Sequence, residues 1–334
     1  MNDKNQRILV TGACGSVGSA LVRRLIVGGH TVCAFDQSED GLFKLDQELG
    51  DSSNGRLRSF LGSVRDGDRL KRAFESVDVV FHCAALKHVY ISEYNPFEAM
   101  QTNIDGVQNV IQASLDANVG RVIFTSSDKA VNPTSTMGAT KLLGERLFIA
   151  ANHYAGKHRT RFSCVRFGNV LNSNGSVLQI FRQQLKEGRR LTITSTGMTR
   201  FFISMEQAVD LCLYAVKEMA GGEIFVLSMG SVDILTLAKS VSRNQIMQYD
   251  EIGLKPGEKL YEELVTESEA PRTAHDGNIY IVLPDIVDLI SEKLKLKYEK
   301  YSTLPRLGAP LRSDQDLLSA ADVDRMLETA DLFR

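Results

Sequence analysis

The chain has 334 residues, 43% of them hydrophobic and 24% charged, with a formal net charge of -2. That composition supplies enough apolar side chains for one large α/β body with a smaller packed lobe, and excludes a disordered or fibrous chain. The balanced charge creates no field that would draw in a polyanion or an anionic membrane, so neither nucleic acid nor membrane is expected as a partner.

Apolar, β-branched runs alternate with amphipathic stretches along the first half. RILVT at 7 to 11 reads as a strand and SALVRRLIVG as the helix after it; TVCAFD at 31 to 36 is a second strand, and a third precedes GSVRD at 62 to 66. The helix DRLKRAFESV leads to the strand DVVFHCAA at 78 to 85. The long helix AMQTNIDGVQNVIQASLDANV leads to a fifth strand, RVIFTSS at 121 to 127. The helix GATKLLGERLFIAANHYAG then precedes FSCVRFGNV at 162 to 170. Short buried strands separated by helices predict a Rossmann-like, doubly wound parallel sheet with helices on both faces.

After about residue 170 the rhythm shortens. A helix is expected around 176 to 187, a strand near 191 to 194, a helix near 204 to 219 and a strand near 223 to 227. Residues 1 to 170 are therefore read as the dinucleotide-binding domain and 171 to 334 mainly as a substrate-binding lobe, with some segments able to return to the sheet. No Pro/Gly/Ser-rich linker separates the two, which predicts a shared cleft.

The five cysteines lie scattered in apolar segments without a CxxC pair, and the six histidines lack metal-ligand spacing, so no metal is expected. The first strand follows Met1 without a charged n-region and long apolar h-region, and no run reaches the ~20 apolar residues that span a bilayer. A soluble cytoplasmic protein is the expectation.

The loop TGACGSVG at 11 to 18 sits between a strand and a helix. Gly12, Gly15 and Gly18 fall where a tight turn, close approach of backbone to a pyrophosphate and close helix packing each exclude a Cβ. Ser16 and Val17 begin the helix, whose free N–H groups face the phosphates. Asp36 ends the second strand, where a carboxylate accepts from both ribose hydroxyls and repels a 2′-phosphate, so NAD is favoured over NADP. Asp66 is a candidate for the adenine amino group or a helix N-cap, and Ala84 ends a strand beside the cofactor.

Six segments occur in order: TGACGSVG, HCAALKHV, SSDKAVNPTSTMGATK, RFGNVLNSNGSV, MTRFF and GLKPGEKLYEEL. In order and spacing they resemble the bacterial UDP-N-acetylglucosamine 4,6-dehydratases, extended short-chain dehydrogenase/reductases used in polysaccharide and nonulosonic acid synthesis, over roughly residues 7 to 265. Most short-chain dehydrogenases carry a tyrosine four residues before the lysine, whose phenolate takes the proton from a sugar hydroxyl. Here that position holds Met137, ahead of Lys141, and a thioether accepts no proton at neutral pH. The methionine form resembles the branch that keeps the C5 configuration of the sugar.

The resemblance implies a tightly held NAD that is regenerated each turnover. It also implies oxidation at C4, loss of water across C5 and C6, and return of the hydride to C6. Lys129 is assigned as the C5 base, Asp128 as the acid for the C6 hydroxyl, Ser127 as partner of the C4 oxygen and Lys141 as the group orienting the nicotinamide ribose. Asp128 also serves to take the C4 hydroxyl proton first, in place of the phenolate. The acid has to be protonated and the amine neutral near pH 7, a condition that burial imposes.

For the nucleotide sugar, the resemblance points to Asn169 and Arg200 at the diphosphate, Ser176 and Val177 at a helix N-terminus facing the nucleotide, Glu258 at the ribose, and Lys87 beside the sugar pocket. Arg200 and Asn169 have a structural reading too. Relatives often follow the valine of AALKHV with proline, where this chain has Tyr90. The helices at about 94 to 117 and 137 to 156 resemble those that pair into a four-helix interface, so a homodimer or higher oligomer is expected. A nucleotide-sugar 4-epimerase, or an inactive NAD-sensing protein, are the alternative readings.

Overall fold

The computed structural model describes residues 5–243, 247–285 and 296–330. Six strands, β1 (Arg7–Thr11), β2 (Thr31–Asp36), β3 (Leu57–Leu61), β4 (Val79–His82), β5 (Arg121–Ser127) and β6 (Arg161–Phe167), pair in parallel in the order β3-β2-β1-β4-β5-β6. The strands at the middle of the sheet are buried on both sides, β4 along its whole length, as parallel strands under two helical layers must be. The chain then leaves the sheet through β7 (Asn169–Val170), β8 (Leu191–Ile193) and β9 (Thr199–Ile203). It returns with β10 (Ile224–Leu227), parallel to β6, leaves again through β11 (Gly230–Asp233), β12 (Tyr249–Glu251) and β13 (Glu263–Val265), and closes the sheet with antiparallel β14 (Thr273–Asp276) and β15 (Ile279–Val282).

In chain order the helices are α1 (Ser16–Val27), α2 (Glu39–Ser53), α3 (Gly67–Ala73), α4 (Val89–Tyr94), α5 (Pro96–Met100), α6 (Gly106–Asp116), α7 (Thr136–Tyr154), α8 (Val177–Lys186), α9 (Met205–Glu218), α10 (Ile234–Ser242) and α11 (Ala320–Thr329). One face of the sheet packs against α1, α2 and α9 through Leu21, Leu42, Phe225 and Val209; the other packs against α3, α6 and α7 through Leu70, Val110, Phe124 and Phe148. A third core, built from Leu178, Phe181, Ile193, Phe202, Leu237 and Leu327, fills the smaller lobe of α8, α10 and α11.

One expectation is sharpened, one is revised and one helix is added. The helix and strand near 204 to 227 belong to the central body: α9 packs on α1 and β10 pairs with β6, so the split at residue 170 divides the chain in sequence more cleanly than in space. The expected continuous helix over 99 to 119 carries a π-helical turn at Gln101–Asp105 between α5 and α6. The second strand is followed by α2, whose apolar residues Leu42, Leu45 and Leu49 recur at helical spacing and whose start is capped by Ser38 accepting from the Gly41 N–H.

Candidate active site

At the carboxyl edge of the sheet, β1 runs into the turn at Gly12 and on to α1. Gly12 has φ +67, and a Cβ there would lie 2.7 Å from the Ala84 nitrogen. At Gly18 a Cβ would lie 2.1 Å from the Gly12 oxygen, so no side chain can exist between the turn and the helix. Gly15 is the N-cap of α1 and offers no side chain to its free N–H groups, and its own Cβ position meets only the Gly12 oxygen, at 3.1 Å. Ser16, Val17 and Gly18 thus begin a helix whose amide dipoles are open to an anion.

Asp36 braces this loop from β2: its Oδ2 accepts from the Cys14 N–H at 2.9 Å and its Oδ1 from the Ser38 N–H at 3.0 Å. Each oxygen keeps a lone pair for a diol. Asp66 takes the N-cap of α3, accepting from the Arg69 N–H at 2.9 Å, which commits one of its oxygens. This open glycine cradle with a carboxylate at the end of β2 fits a dinucleotide whose ribose is unphosphorylated.

Ser127 ends β5, and Asp128 and Lys129 form a 3-10 turn beyond it. The Ser127 hydroxyl donates to Asp128 Oδ1 at 2.5 Å, the Lys129 N–H donates to the same oxygen at 2.9 Å, and Lys129 Nζ donates to it at 3.0 Å. Asp128 is fully buried and its second oxygen, Oδ2, has no partner among the described residues. An unpaired buried carboxylate oxygen is costly unless it carries a proton or meets a ligand donor, which suits it to acid–base work. Lys129 Nζ also donates to Asn169 Oδ1 at 3.1 Å, so Asn169 sits against the amine of the cluster.

Met137 is buried in the first turn of α7, behind the N-cap Ser135, which accepts from the Gly138 N–H. A Cβ on Gly138 would lie 2.3 Å from the Lys129 oxygen, so this glycine lets α7 dock directly on the Asp128 turn. One turn further, Lys141 is buried, donates from Nζ to the Thr125 oxygen at 2.9 Å and stands 4.6 Å over the Phe124 ring. Its burial lowers the ammonium to about 8.

Two residues escaped the sequence reading. Asn103, in the π-helical turn, donates to the Leu86 oxygen and to Thr140 Oγ1 and accepts from the Leu86 N–H, tying the loop after β4 to α7. A polar residue inside an otherwise apolar helical face was the available signal. His82, at the end of β4, is buried between the strands and meets Thr11 Oγ1 through Nδ1 at 2.7 Å. Burial and, less strongly, the nearby Lys141 push the imidazole down to about 3, so it is neutral. Thr11 Oγ1 also accepts from the Ala84 N–H, and His82 Nε2 is buried without a partner among the described residues.

The remaining residues are spread along the cleft. Ser176 is the N-cap of α8 with its hydroxyl buried and unpaired among the described residues, and Val177 opens the helix. Lys87 Nζ donates to the Asn174 oxygen at 2.6 Å. Glu258 closes a turn by accepting from the Lys255 N–H at 3.1 Å. Arg200, expected at the diphosphate, is buried: Nη1 donates to the Thr199 and Leu260 oxygens, Nη2 to the Lys259 oxygen, and Nε lies 3.9 Å from Glu262. Its guanidinium is a strut between β9 and the loop 253–262. Two surface hollows, about 470 Å³ beside Lys71, Glu75 and Asp116 and about 240 Å³ beside Asp78, Arg121 and Arg161, lie away from the Asp128 cluster. Among the described residues no group of acidic, histidine or cysteine side chains could hold a metal ion, and no helix is long and apolar enough to cross a membrane.

The chain is similar to known proteins over most of its length. A family model described as "Polysaccharide biosynthesis protein" matches residues 8–284. A protein of Campylobacter jejuni named UDP-N-acetylglucosamine 4,6-dehydratase (inverting) is 41% identical over 286 residues, covering 85% of this chain and 84% of its own. A Rickettsia akari protein named UDP-glucose 4-epimerase is 35% identical over 340 residues, covering 99% of this chain and 97% of its own. The solved structure of Pen from Bacillus thuringiensis superposes with a TM-score of 0.91 at 36% identity and covers all of both chains.

Proposed function

We infer the reaction from one premise: the chain belongs to the polysaccharide biosynthesis protein family. It is an extended short-chain dehydrogenase/reductase of the nucleotide-sugar dehydratase and epimerase kind. Within that class we propose a 4,6-dehydratase that converts UDP-N-acetylglucosamine to the UDP-2-acetamido-2,6-dideoxy-4-keto sugar with retention at C5. The observation that carries this reading is the hydrogen-bonded set Ser127, Asp128 and Lys129 beside a buried Met137. An elimination needs an acid and a base, and this set has both without a phenol.

NAD, when bound, would supply a hydride acceptor that is regenerated within each turnover, so none is consumed. Gly12, Gly15, Ser16, Val17 and Gly18 would hold its pyrophosphate, Asp36 and Asp66 its adenosine, and Ala84 and Lys141 the nicotinamide side. In the chain's own chemistry, the C4 hydroxyl proton passes through Ser127 Oγ to Asp128. Lys129 takes the C5 proton that the new carbonyl has acidified. Asp128 then gives its proton to the departing C6 hydroxyl, which leaves as water, and Lys129 returns a proton to the same face of C5. The sugar loses one water and both side chains regain their starting forms.

Proton NMR of UDP-N-acetylglucosamine incubated with the enzyme in deuterated water tests this reading. A new C6 methyl signal, deuterium at C5 and unchanged C5 configuration are expected. An inverted C5, as in the name of the Campylobacter relative, would refute retention, and an unchanged product mass would favour the 4-epimerase that the Rickettsia relative's name suggests. No turnover at all would leave an NAD-sensing role.

We further propose a homodimer through α5, α6 and α7. Phe97 is 73%, Met100 44% and Leu143 46% exposed, apolar side chains on α5 and α7 that a second copy would cover. Leu143→Glu is expected to halve the mass seen by light scattering, and an unchanged mass would place the interface elsewhere.

A further inference from the structure

We propose that residues 172–176 form a strap that retains the dinucleotide while its hydride is on loan, with Ser16 and Lys87 as the posts to which it is tied. The inference rests on the reading that NAD is regenerated within each turnover. An enzyme of that kind fails whenever the reduced cofactor leaves before the hydride returns, so retention is a chemical requirement.

The strap is prebuilt on the smaller lobe. Asn172 has φ +55 and Gly175 φ +71, so the chain turns sharply at both ends. Gln179, in the first turn of α8, bridges those ends: its Nε2 donates to the Asn172 oxygen at 3.2 Å and its Oε1 accepts from the Gly175 N–H at 3.0 Å. Between them Asn174 reaches across the cleft with its backbone alone. Its N–H donates to Ser16 Oγ at 3.1 Å, and its oxygen accepts from Lys87 Nζ at 2.6 Å.

These ties join separate parts of the molecule. Ser16 is the first residue of α1, where the amides of the cofactor loop open, and Lys87 lies in the loop after β4. The strap therefore spans from the smaller lobe onto the N-terminus that would cradle the pyrophosphate. Lys87 adds a positive charge to the span, which favours a polyanion beneath it. Gly175 fits close against the loop: a Cβ there would lie 3.0 Å from His88 Cε1 and would also require a left-handed backbone that side chains disfavour. A methyl group at this one position should loosen the strap without touching the cofactor loop.

The test is release of NADH from the full chain, followed by stopped-flow fluorescence with excess NAD as the chase and no sugar nucleotide present. Lys87→Met and Gly175→Ala are expected to release NADH about tenfold faster than wild type, the factor that corresponds to one lost hydrogen bond to a charged group. Lys87→Arg, which keeps the charge and the donors, is expected to restore slow release. A general loss of structure would not be rescued by that conservative change. Release within about twofold of wild type in both Lys87→Met and Gly175→Ala overturns the strap, as does failure of Lys87→Arg to restore it. Because the assay contains no sugar, a chain that releases NADH as expected yet forms no 4-keto product would retain the strap and lose the dehydratase reading. A wild-type chain that binds no NADH would overturn both.

Discussion

Asp128→Asn and Lys129→Met are each expected to lower kcat about 10³-fold, within the range that removal of a positioned acid or base produces, and to stop the reaction at different steps. The amide introduced by Asp128→Asn would keep the shape of a side chain that is fully buried and would still accept from Ser127 and from the Lys129 N–H. It cannot take a proton from the C4 hydroxyl through Ser127. The block therefore falls before hydride leaves C4, and neither reduced-nicotinamide absorbance nor exchange of the C5 proton should appear. Lys129→Met leaves Asp128 and its serine in place, so oxidation at C4 can occur while the C5 proton stays put. Reduced-nicotinamide absorbance without deuterium at C5 is the expected signature. If both variants formed product at close to the wild-type rate, the acid and base lie elsewhere. If Asp128→Asn showed the absorbance and Lys129→Met did not, the two roles would have to be exchanged.

The parts of this site that could be read in the sequence are those whose chemistry is local. The turn at Gly12 and Gly18, the brace at Asp36 and the cluster at 127 to 129 each lie within a few residues of a strand end, and strand ends follow from the alternation of apolar runs. The rest depends on pairs far apart in the chain. His82 finds Thr11 only because β4 lies beside β1, and Asn103 meets Thr140 only because the π-helical turn rotates it onto α7. Arg200 finds its partners in the same way: its planar fork matches a diphosphate, and folding also brings the carbonyls of Lys259 and Leu260 to it. The central sheet behaved likewise: β10, β14 and β15 are separated from β6 by segments of the smaller lobe, and no local period tells a returning strand from one that stays in that lobe.

The largest effect on stability is expected at Arg166, a residue with no assigned part in the chemistry. It is 1% exposed, and its N–H groups are all engaged. Nε and Nη2 donate to the two oxygens of Glu145 at 3.0 and 2.7 Å, Nη1 and Nη2 to those of Glu269 at 3.0 and 3.1 Å, and Nη1 to the Leu264 oxygen at 2.7 Å. Arg166→Met would leave two carboxylates buried without their cation, and removing one partner of such a set costs about 3–5 kcal/mol. The effect should depend on pH with a definite sign. Burial alone would raise the Glu269 carboxyl, but the charge and hydrogen bonds of Arg166 more than offset this and bring it down to about 2. A carboxyl depressed by folding stabilises the native state above its unfolded value of ~4.3, and that contribution fades as pH falls from there toward 2. In Arg166→Met the freed carboxyls can instead take up protons as the pH drops. The gap between variant and wild type in urea unfolding should therefore be widest at neutral pH and narrow in acid. A gap below about 1 kcal/mol at neutral pH would mean that the set contributes little. Replacing all three residues with apolar ones separates unpaired charge from lost packing, since a whole buried set can be exchanged for hydrophobic side chains at small cost. The outcome bears on the site as well: Glu145 lies one turn beyond Lys141 on α7, and Glu269 and Leu264 follow the loop that carries Glu258. Arg166 is thus the joint between the helix that holds the lysine and the segment that follows the Glu258 loop.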